Sequence, residues 1–195
     1  MPILRTQSGE LRDQIRGPLY DTVQINSGDT VVGTRQWFTD VQGKSKARTN
    51  LRQNSALDRA VSFRVTGMAL DVQNFYVANA PALPIYMENS SVKFTVGEKD
   101  YWEGPMLYLS GRLDLFAATP ATPLIYQKFG VPSVQPIIFG EKHVVEIPPQ
   151  QSFSVTWTIV PADITAAEIA LAALASDTNL KFVMSLKGIR RRPVQ

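Results

Sequence analysis

Cysteine is absent from this sequence, and histidine occurs once, at His143. Without a thiol the chain forms no disulfide, no zinc–thiolate site and no cysteine nucleophile. A metal site built from several imidazoles is excluded as well, and a Ser-His-Asp triad would have to use His143 as its base. A lone histidine is more often a structural or surface residue than a ligand. We therefore expect neither a metal nor another cofactor, and no enzymatic activity.

Long apolar runs are also missing. No stretch of 18 consecutive apolar residues occurs, so the sequence predicts no membrane-spanning helix. The segment 1–17 is too polar for a signal peptide, which predicts a product of the cytoplasm. Charged residues make up only 19% of the chain and apolar residues 44%, a composition that favours a packed core over disorder. The length of 195 residues is enough for one such domain.

Recognisable catalytic motifs are lacking too. The sequence contains no G-x-S-x-G, P-loop, G-x-G-x-x-G or EF-hand loop. Close carboxylates, which glycosidases use in pairs, occur at Glu98, Asp100 and Glu103 and at Glu141 and Glu146. The first group lies on a predicted hairpin, where exposed charge is ordinary. With 17 acidic residues in the chain, close pairs also arise by accident, so we assign no catalytic role to these carboxylates.

Alternation of apolar and polar residues, the pattern of a half-buried strand, is the strongest signal in the chain. Runs of this kind cover 30–38, 61–73, 91–104, 152–160 and 179–189, and shorter strands are predicted at 106–116, 119–130, 131–140 and 143–147. Strands dominate and do not alternate with helices, which argues against a parallel βαβ sheet. We predict an all-β fold, a single eight-stranded antiparallel jelly-roll sandwich, with an immunoglobulin-like sandwich as the alternative.

In the strand predicted at 61–73, the apolar residues switch from odd-numbered to even-numbered positions at Gly67. They are Val61, Phe63 and Val65 before the glycine, and Met68, Leu70 and Val72 after it. One inserted residue moves every later side chain to the opposite face of a sheet, and glycine tolerates the backbone that this requires. The pattern predicts a β-bulge, or a bend from one sheet of a sandwich to the other.

A change of period predicts one short helix, at 161–177, between the last two strands. Asp163 is a candidate N-cap, and Thr165 with Glu168 has the spacing of a capping box. At the other end of the chain, the polar segment 1–29 is predicted to be an arm, with either a short helix at 8–15 or a frayed terminus. Residues 30–195 are then the jelly-roll domain with a basic C-terminal tail.

The net charge of +3 is modest, and part of it is local. The segments KSKAR (44–48) and RRRPVQ (190–195) are interpreted as a solvated loop and a solvated tail, or as contacts for an acidic partner or a nucleic-acid backbone. Trp37 and Trp157 follow apolar faces and are expected in the core, whereas Trp102 lies among charged residues. The candidate interface residues are Arg5, Arg12, Arg16, Lys44, Lys46, Arg48, Trp102, Arg190, Arg191 and Arg192.

Several segments resemble a known family. WFTDVQGKSKARTNL (37–51), followed by the long strand at 61–72, is similar to the front of jelly-roll capsid proteins from tailless icosahedral bacteriophages. In that family an F-x-D/N-x-x-G-K segment and a T-N-L follow the first strand, and here these are Phe38, Asp40, Gly43 and Lys44, then Thr49, Asn50 and Leu51. The segment 92–106 resembles the family's strand-turn-strand unit that ends in a Gly-Pro step. The segment 186–195 resembles the family's last strand, which is followed by a basic C-terminal tail.

The resemblance implies a capsid subunit with one jelly roll, of the vertical-barrel lineage, since double jelly-roll proteins are much longer. Such a subunit is assembled in the host cytoplasm into the virion. Its partners are copies of itself and other capsid proteins, with the packaged genome or an inner membrane surface as further contacts of its basic arms, and it takes no small-molecule substrate. A receptor- or glycan-binding spike or vertex module of the same fold is the alternative, and a cupin-type enzyme is a third.

Overall fold

The computed structural model describes residues 3–5, 11–73, 82–109, 137–139, 144–174, 176 and 178–193. In chain order its strands and helices are β1 (Ile3–Arg5), β2 (Leu11–Arg16), β3 (Leu19–Asn26), β4 (Gly33–Trp37), β5 (Ser62–Gln73), α1 (Ala82–Glu88), β6 (Ser91–Val96), β7 (Lys99–Pro105), β8 (Ile137–Ile138), β9 (Val145–Ile147), β10 (Phe153–Ile159), α2 (Ala166–Ala172) and β11 (Asn179–Pro193). The strands form two antiparallel sheets. The predicted all-β sandwich class is confirmed.

The large sheet has β5 and β11 at its centre. One side of β11 pairs first with β3, from Asn179 to Leu186, and then with β2, from Ile189 to Pro193. The far side of β5 pairs with β9 and β8, and β1 continues the sheet beyond β2. Each of the two long strands therefore pairs with two shorter strands along its outer side, and together β5 and β11 connect the sheet along its length.

The small sheet has the order β4-β10-β6-β7. Strands β6 and β7 form a hairpin around Gly97, whose φ of 62° lies in the left-handed region that favours glycine. This confirms the hairpin predicted at 91–104. Along β10, Phe153, Val155, Trp157 and Ile159 are buried and the residues between them are not, as the alternating sequence predicts.

Aromatic side chains fill the space between the sheets. The rings of Trp37 and Trp157 stack with centroids 5.7 Å apart, and Phe182 of the large sheet lies 4.8 Å from Trp157. The Trp37 indole N–H donates to the Phe182 carbonyl oxygen at 2.8 Å, and the Trp157 indole N–H donates to Ser90 Oγ at 2.6 Å. Both tryptophans therefore lie in the core, as predicted, and each indole N–H has an acceptor.

The parity change in β5 is a β-bulge. Lys187 pairs with Gly67 and Gly188 with Val65, so Thr66 is the extra residue on β5. Phe63 and Val65 before the bulge and Met68 after it are all buried. A Cβ atom at Gly67 would lie 2.6 Å from the Ile137 carbonyl oxygen, which explains why the bulge carries a glycine.

Helix α2 confirms the helix predicted between the last two strands, although it is shorter than the predicted range. Thr165 is its N-cap, and both hydrogen bonds of the capping box with Glu168 are present. Asp163 instead ends a 3-10 turn and caps nothing. Helix α1 was not predicted from the sequence.

The N-terminal segment differs from its prediction. The alternative of a helix at 8–15 is wrong for residues 11–15, which belong to β2, because pairing with β11 overrides a weak helical spacing. Residues 6–10 lie outside the described part. The division into an arm at 1–29 and a domain at 30–195 stays a prediction, but Leu19 and Ile25 are fully buried in the common core.

The segment after β7 is only partly described. Met106–Tyr108 forms a 3-10 turn where a strand was predicted, since buried Met106 turns the chain beside Ser90. Residues 110–136 and 140–143, with His143 and most of the strands predicted at 106–140, lie outside the described residues. Among the helices that are described, none has the length and apolarity to cross a membrane.

Candidate interaction surfaces

Asp21 is a buried carboxylate on the core-facing side of β3. The Lys44 ammonium group lies 3.0 Å from each of its oxygens, and the Phe38 backbone N–H donates to Oδ2 at 2.7 Å. Lys44 also donates to the Thr22 carbonyl oxygen at 2.9 Å. A buried carboxylate needs such partners because desolvation otherwise outweighs its interactions. Lys44, predicted as an interface residue, therefore holds the loop at 39–60 against β3.

The same loop follows the edge of β3 that β11 leaves free. Tyr20 N–H donates to Asn50 Oδ1 at 2.9 Å, and the Thr22 hydroxyl donates to the Arg48 carbonyl oxygen at 2.8 Å. The Tyr20 hydroxyl donates to the Lys46 carbonyl oxygen. The Asn50 N–H and the Lys44 ammonium group also donate to the Tyr20 and Thr22 carbonyl oxygens, so the loop covers the edge at residues 20–22. There the edge does not offer its backbone groups to a foreign strand. The side chains of Lys46 and Arg48 are exposed, but their backbone is fixed.

Residues of the family-like motif supply several of these contacts. Phe38, Lys44 and Asn50 form hydrogen bonds to β3. Gly43 has a φ of 76°, whereas Asp40 is exposed. The sequence reasoning missed the acceptor at the centre of this network, because Asp21 fell in the segment assigned to an arm. A signal existed: Asp21 has the parity of the apolar positions Leu19, Val23 and Ile25.

Arg190, Arg191 and Arg192 are strand residues. Residues 190–193 do not form the predicted tail, because this part of β11 pairs with β2 and, at Arg190 and Arg191, with β5. Arg191 lies on the outer face of the sheet, 3.6 Å from the Glu146 carboxylate. Arg190 pairs with Phe63, which is buried, so the Arg190 side chain is on the core-facing side of the sheet. Arg192, two residues further along the strand, is on the same side, where the two sheets no longer face each other.

These two arginines border a cleft of about 300 Å³ between β2, β11 and the loop that precedes β5. Its apolar part comes from five aliphatic side chains, and Arg52, which was not predicted, adds a third guanidinium group. Arg192 Nε lies 3.6 Å from Asp13 Oδ2 at the rim. We call this site the arginine cleft; it is lined by Ile15, Asn50, Leu51, Arg52, Ala56, Leu57, Asp58, Val61, Arg190 and Arg192.

The predicted cations do not gather in one patch. Arg190 and Arg192 lie at the arginine cleft, whereas Lys44, Lys46 and Arg48 lie along β3. Arg16 is exposed on β2, in register with Ile189. Arg5 and Arg12 belong to β1 and β2, and their side chains lie outside the described part.

Trp102 is half-buried on β7, opposite Phe94. Its ring lies over Gly104, where an added Cβ atom would be 2.9 Å from it. The ring therefore packs on its own hairpin and offers only part of its surface to a partner.

The segment around α2 exposes apolar side chains. Val160 is 42% exposed and Leu171 58%, and the helix residues Ala166, Ala167 and Ala170 are exposed as well. We call this the α2 surface; it consists of Val160, Ala166, Ala167, Glu168, Ala170 and Leu171. The sequence itself indicates this exposure: Leu171 follows Ile169 by two residues, and because such residues do not share a helix face, a helix that packs Ile169 against the core exposes Leu171.

Glu168 gives the α2 surface a fixed negative charge. Hydrogen bonds from the Thr165 backbone N–H, at 2.8 Å, and from its hydroxyl, at 2.7 Å, lower the pKa of this carboxyl below its usual value. The group is therefore ionised at neutral pH. No lysine or arginine occurs from 144 to 180, so the α2 surface has no basic residue of its own.

Among the residues that the structure describes, no group of three or more histidine and acidic side chains is placed to hold a metal ion. The chain was also compared with protein-family models and with curated proteins, and neither comparison gave a significant match.

Proposed function

We propose that this protein is a structural subunit of an icosahedral virus shell, built on a single jelly roll. It associates with copies of itself and with other capsid proteins in the virion, and it is not an enzyme. The observation that carries the proposal is the pattern of strand pairing, which we take together with the motif residues around Asp21.

The pairing follows a simple rule when the two N-terminal strands and β8 are set aside. The eight remaining described strands, in chain order, are β3, β4, β5, β6, β7, β9, β10 and β11. The first pairs with the eighth, the second with the seventh, the third with the sixth and the fourth with the fifth. A long hairpin wrapped into two sheets has this connectivity, which favours a jelly roll over an immunoglobulin-like sandwich.

A fold alone does not assign a function, so surfaces must support the assignment. The residues that carry the resemblance of 37–51 to jelly-roll capsid proteins also have a structural role, because Phe38, Lys44 and Asn50 hold the loop on β3. The covered edge gives a rigid body that avoids unspecific strand addition. The α2 surface and the arginine cleft are the kinds of exposed apolar and charged sites that subunits use to associate.

The test is the assembly state of the purified full chain. Size-exclusion chromatography with light scattering, followed by negative-stain electron microscopy, should show capsomer-sized oligomers or closed shells. A chain that stays monomeric at every concentration would contradict the proposal. If such a monomer bound a glycan in an array, and Trp102→Ala abolished that binding, the spike or vertex module would replace it.

A further inference from the structure

The arginine cleft and the α2 surface lie at opposite ends of the molecule. The Leu174 carbonyl oxygen, just after α2, accepts from the Ser27 hydroxyl, and the neighbouring Asn26 pairs with Asn179, so α2 lies where β11 begins. The far part of β11, at Arg190 and Arg192, borders the cleft. At about 3.3 Å per residue, the strand from Asn179 to Arg190 is about 35 Å long. The two surfaces of one molecule therefore cannot touch each other.

Their chemistry is complementary. The arginine cleft joins an apolar part, which includes Ile15, Leu51 and Val61, to the guanidinium groups of Arg52 and Arg190. Leu171 is exposed one helical turn after Glu168, whose ionised carboxylate is turned back to the N-cap residue Thr165, so an apolar side chain and a negative charge lie within one turn of each other. An arginine–carboxylate contact beside an apolar anchor is a common composition for the centre of an interface.

The charges around the two sites extend this complementarity. Besides Glu168, the exposed carboxylates of Asp29, Glu88 and Asp163 lie at the α2 end. Two cations lie at the same end: Lys181 near the start of β11, and Arg35, which is held over the Trp157 ring, 5.2 Å from its centroid, and donates to the Val31 carbonyl oxygen. The four carboxylates outnumber these two cations.

The arginine-cleft end has the opposite balance. Arg192 faces Asp13, and Asp58 lies in the cleft wall, while Arg52 and the neighbouring Arg59 are exposed. Two copies placed end to end therefore bring opposite charges together, and two copies placed cleft to cleft do not.

We propose that the arginine cleft of one copy receives the α2 surface of a second copy. Leu171 contacts the apolar part of the cleft, and the Glu168 carboxylate faces Arg52, Arg190 and Arg192. The contact is heterologous, so it continues from copy to copy and closes into a ring when the rotation between copies allows. This inference rests on the proposed self-assembly and names the surfaces through which it takes place.

The experiment uses two full-length variants that each lose one side of the contact. Leu171→Asp alters the α2 surface, and Arg52→Glu with Arg192→Glu alters the cleft at two exposed side chains. In sedimentation velocity, each variant alone should associate with a dissociation constant raised about tenfold or more relative to wild type. An equimolar mixture should form dimers and stop there, because each dimer holds one intact contact and two altered surfaces.

Control variants separate this contact from general effects of surface charge. Ile138→Asp changes an apolar residue that is 67% exposed outside the α2 surface, and Lys187→Glu reverses an exposed charge in the middle of β11, outside the cleft lining. Both should associate like wild type. Leu171→Ala, a milder change, should weaken association by less than Leu171→Asp, and circular dichroism should show all variants folded.

The outcomes distinguish the two proposals. If wild type associates and the paired variants associate as well as it does, or if their mixture forms no dimer, this contact is wrong while self-assembly stands. If wild type is monomeric at every concentration, the proposed function fails and this inference fails with it.

Discussion

The Lys44 Nζ atom lies 3.0 Å from both carboxylate oxygens of Asp21, and the Asp21 side chain has no exposed surface. The two residues are 23 positions apart in sequence, and their contact fixes the loop at 39–60 to β3. The pair is therefore the point at which the stability of the loop and that of the large sheet are coupled.

Lys44→Met should lower the free energy of unfolding by about 3 kcal/mol, because it leaves a buried carboxylate without its cation. Urea denaturation measures the loss. Lys46→Met, at an exposed side chain two residues away, is the control and should change stability by less than about 0.5 kcal/mol. The double variant Asp21→Asn/Lys44→Met should recover part of the loss. Equal stability of the two lysine variants would contradict this role.

Ser90→Ala should destabilise the fold by about 1.5 kcal/mol, since the buried Trp157 indole N–H loses its acceptor at 2.6 Å. Ser91→Ala removes the hydroxyl of the next residue, which is exposed, and should be nearly neutral. Thermal unfolding followed by tryptophan fluorescence compares the two. The role of Ser90 would be refuted by matching midpoints.

Gly67→Ala should reduce stability by about 2 kcal/mol, because the new Cβ atom would meet the Ile137 carbonyl oxygen at 2.6 Å and something must shift. Gly17→Ala is the matched control, as a Cβ atom there meets nothing within 4 Å. Hydrogen exchange should show faster exchange of the Phe139 amide, which donates to the Thr66 carbonyl oxygen, in the Gly67 variant only. Slow exchange in both variants would show that the bulge accommodates a methyl group.

Glu168→Gln should make the protein less stable at neutral pH and have no effect in strong acid. Hydrogen bonds from Thr165 lower the folded pKa of Glu168 below its usual value of 4.5, so the ionised form contributes stability above that value. The contribution disappears as the pH falls through the folded pKa. Urea denaturation of both proteins across this range measures the difference, which should shrink when Thr165→Ala is introduced in both. A difference that is constant with pH would contradict the assignment.

The parts of the fold that the sequence predicts correctly depend on local signals. Trp157 and its neighbours in β10 alternate because each face of the strand has one environment. Thr165 and Glu168 form a capping box within four residues, and Gly67 marks its bulge by a change of parity within one strand. Each pattern is complete in a short window, so no knowledge of distant partners is needed.

The parts that were missed depend on partners far away in the chain. Residues 11–16 form a strand because residues 189–193 pair with them, and Arg190 to Arg192 are ordered for the same reason. The burial of Asp21 requires Lys44, which is positioned by a loop whose path the sequence pattern does not reveal. The arginine cleft combines three separate segments, so only the assembled fold brings Arg52 to Arg190.

The position of β11 in the chain has a consequence for biosynthesis. Strands β2, β3 and β5 all pair with it, and all of them precede it in sequence by about a hundred residues or more. On the ribosome these earlier strands emerge with their central partner not yet made, so the large sheet closes only after translation has passed Pro193. Until then their unpaired edges are open to wrong partners, and protection by a chaperone in this interval would raise the yield of native protein.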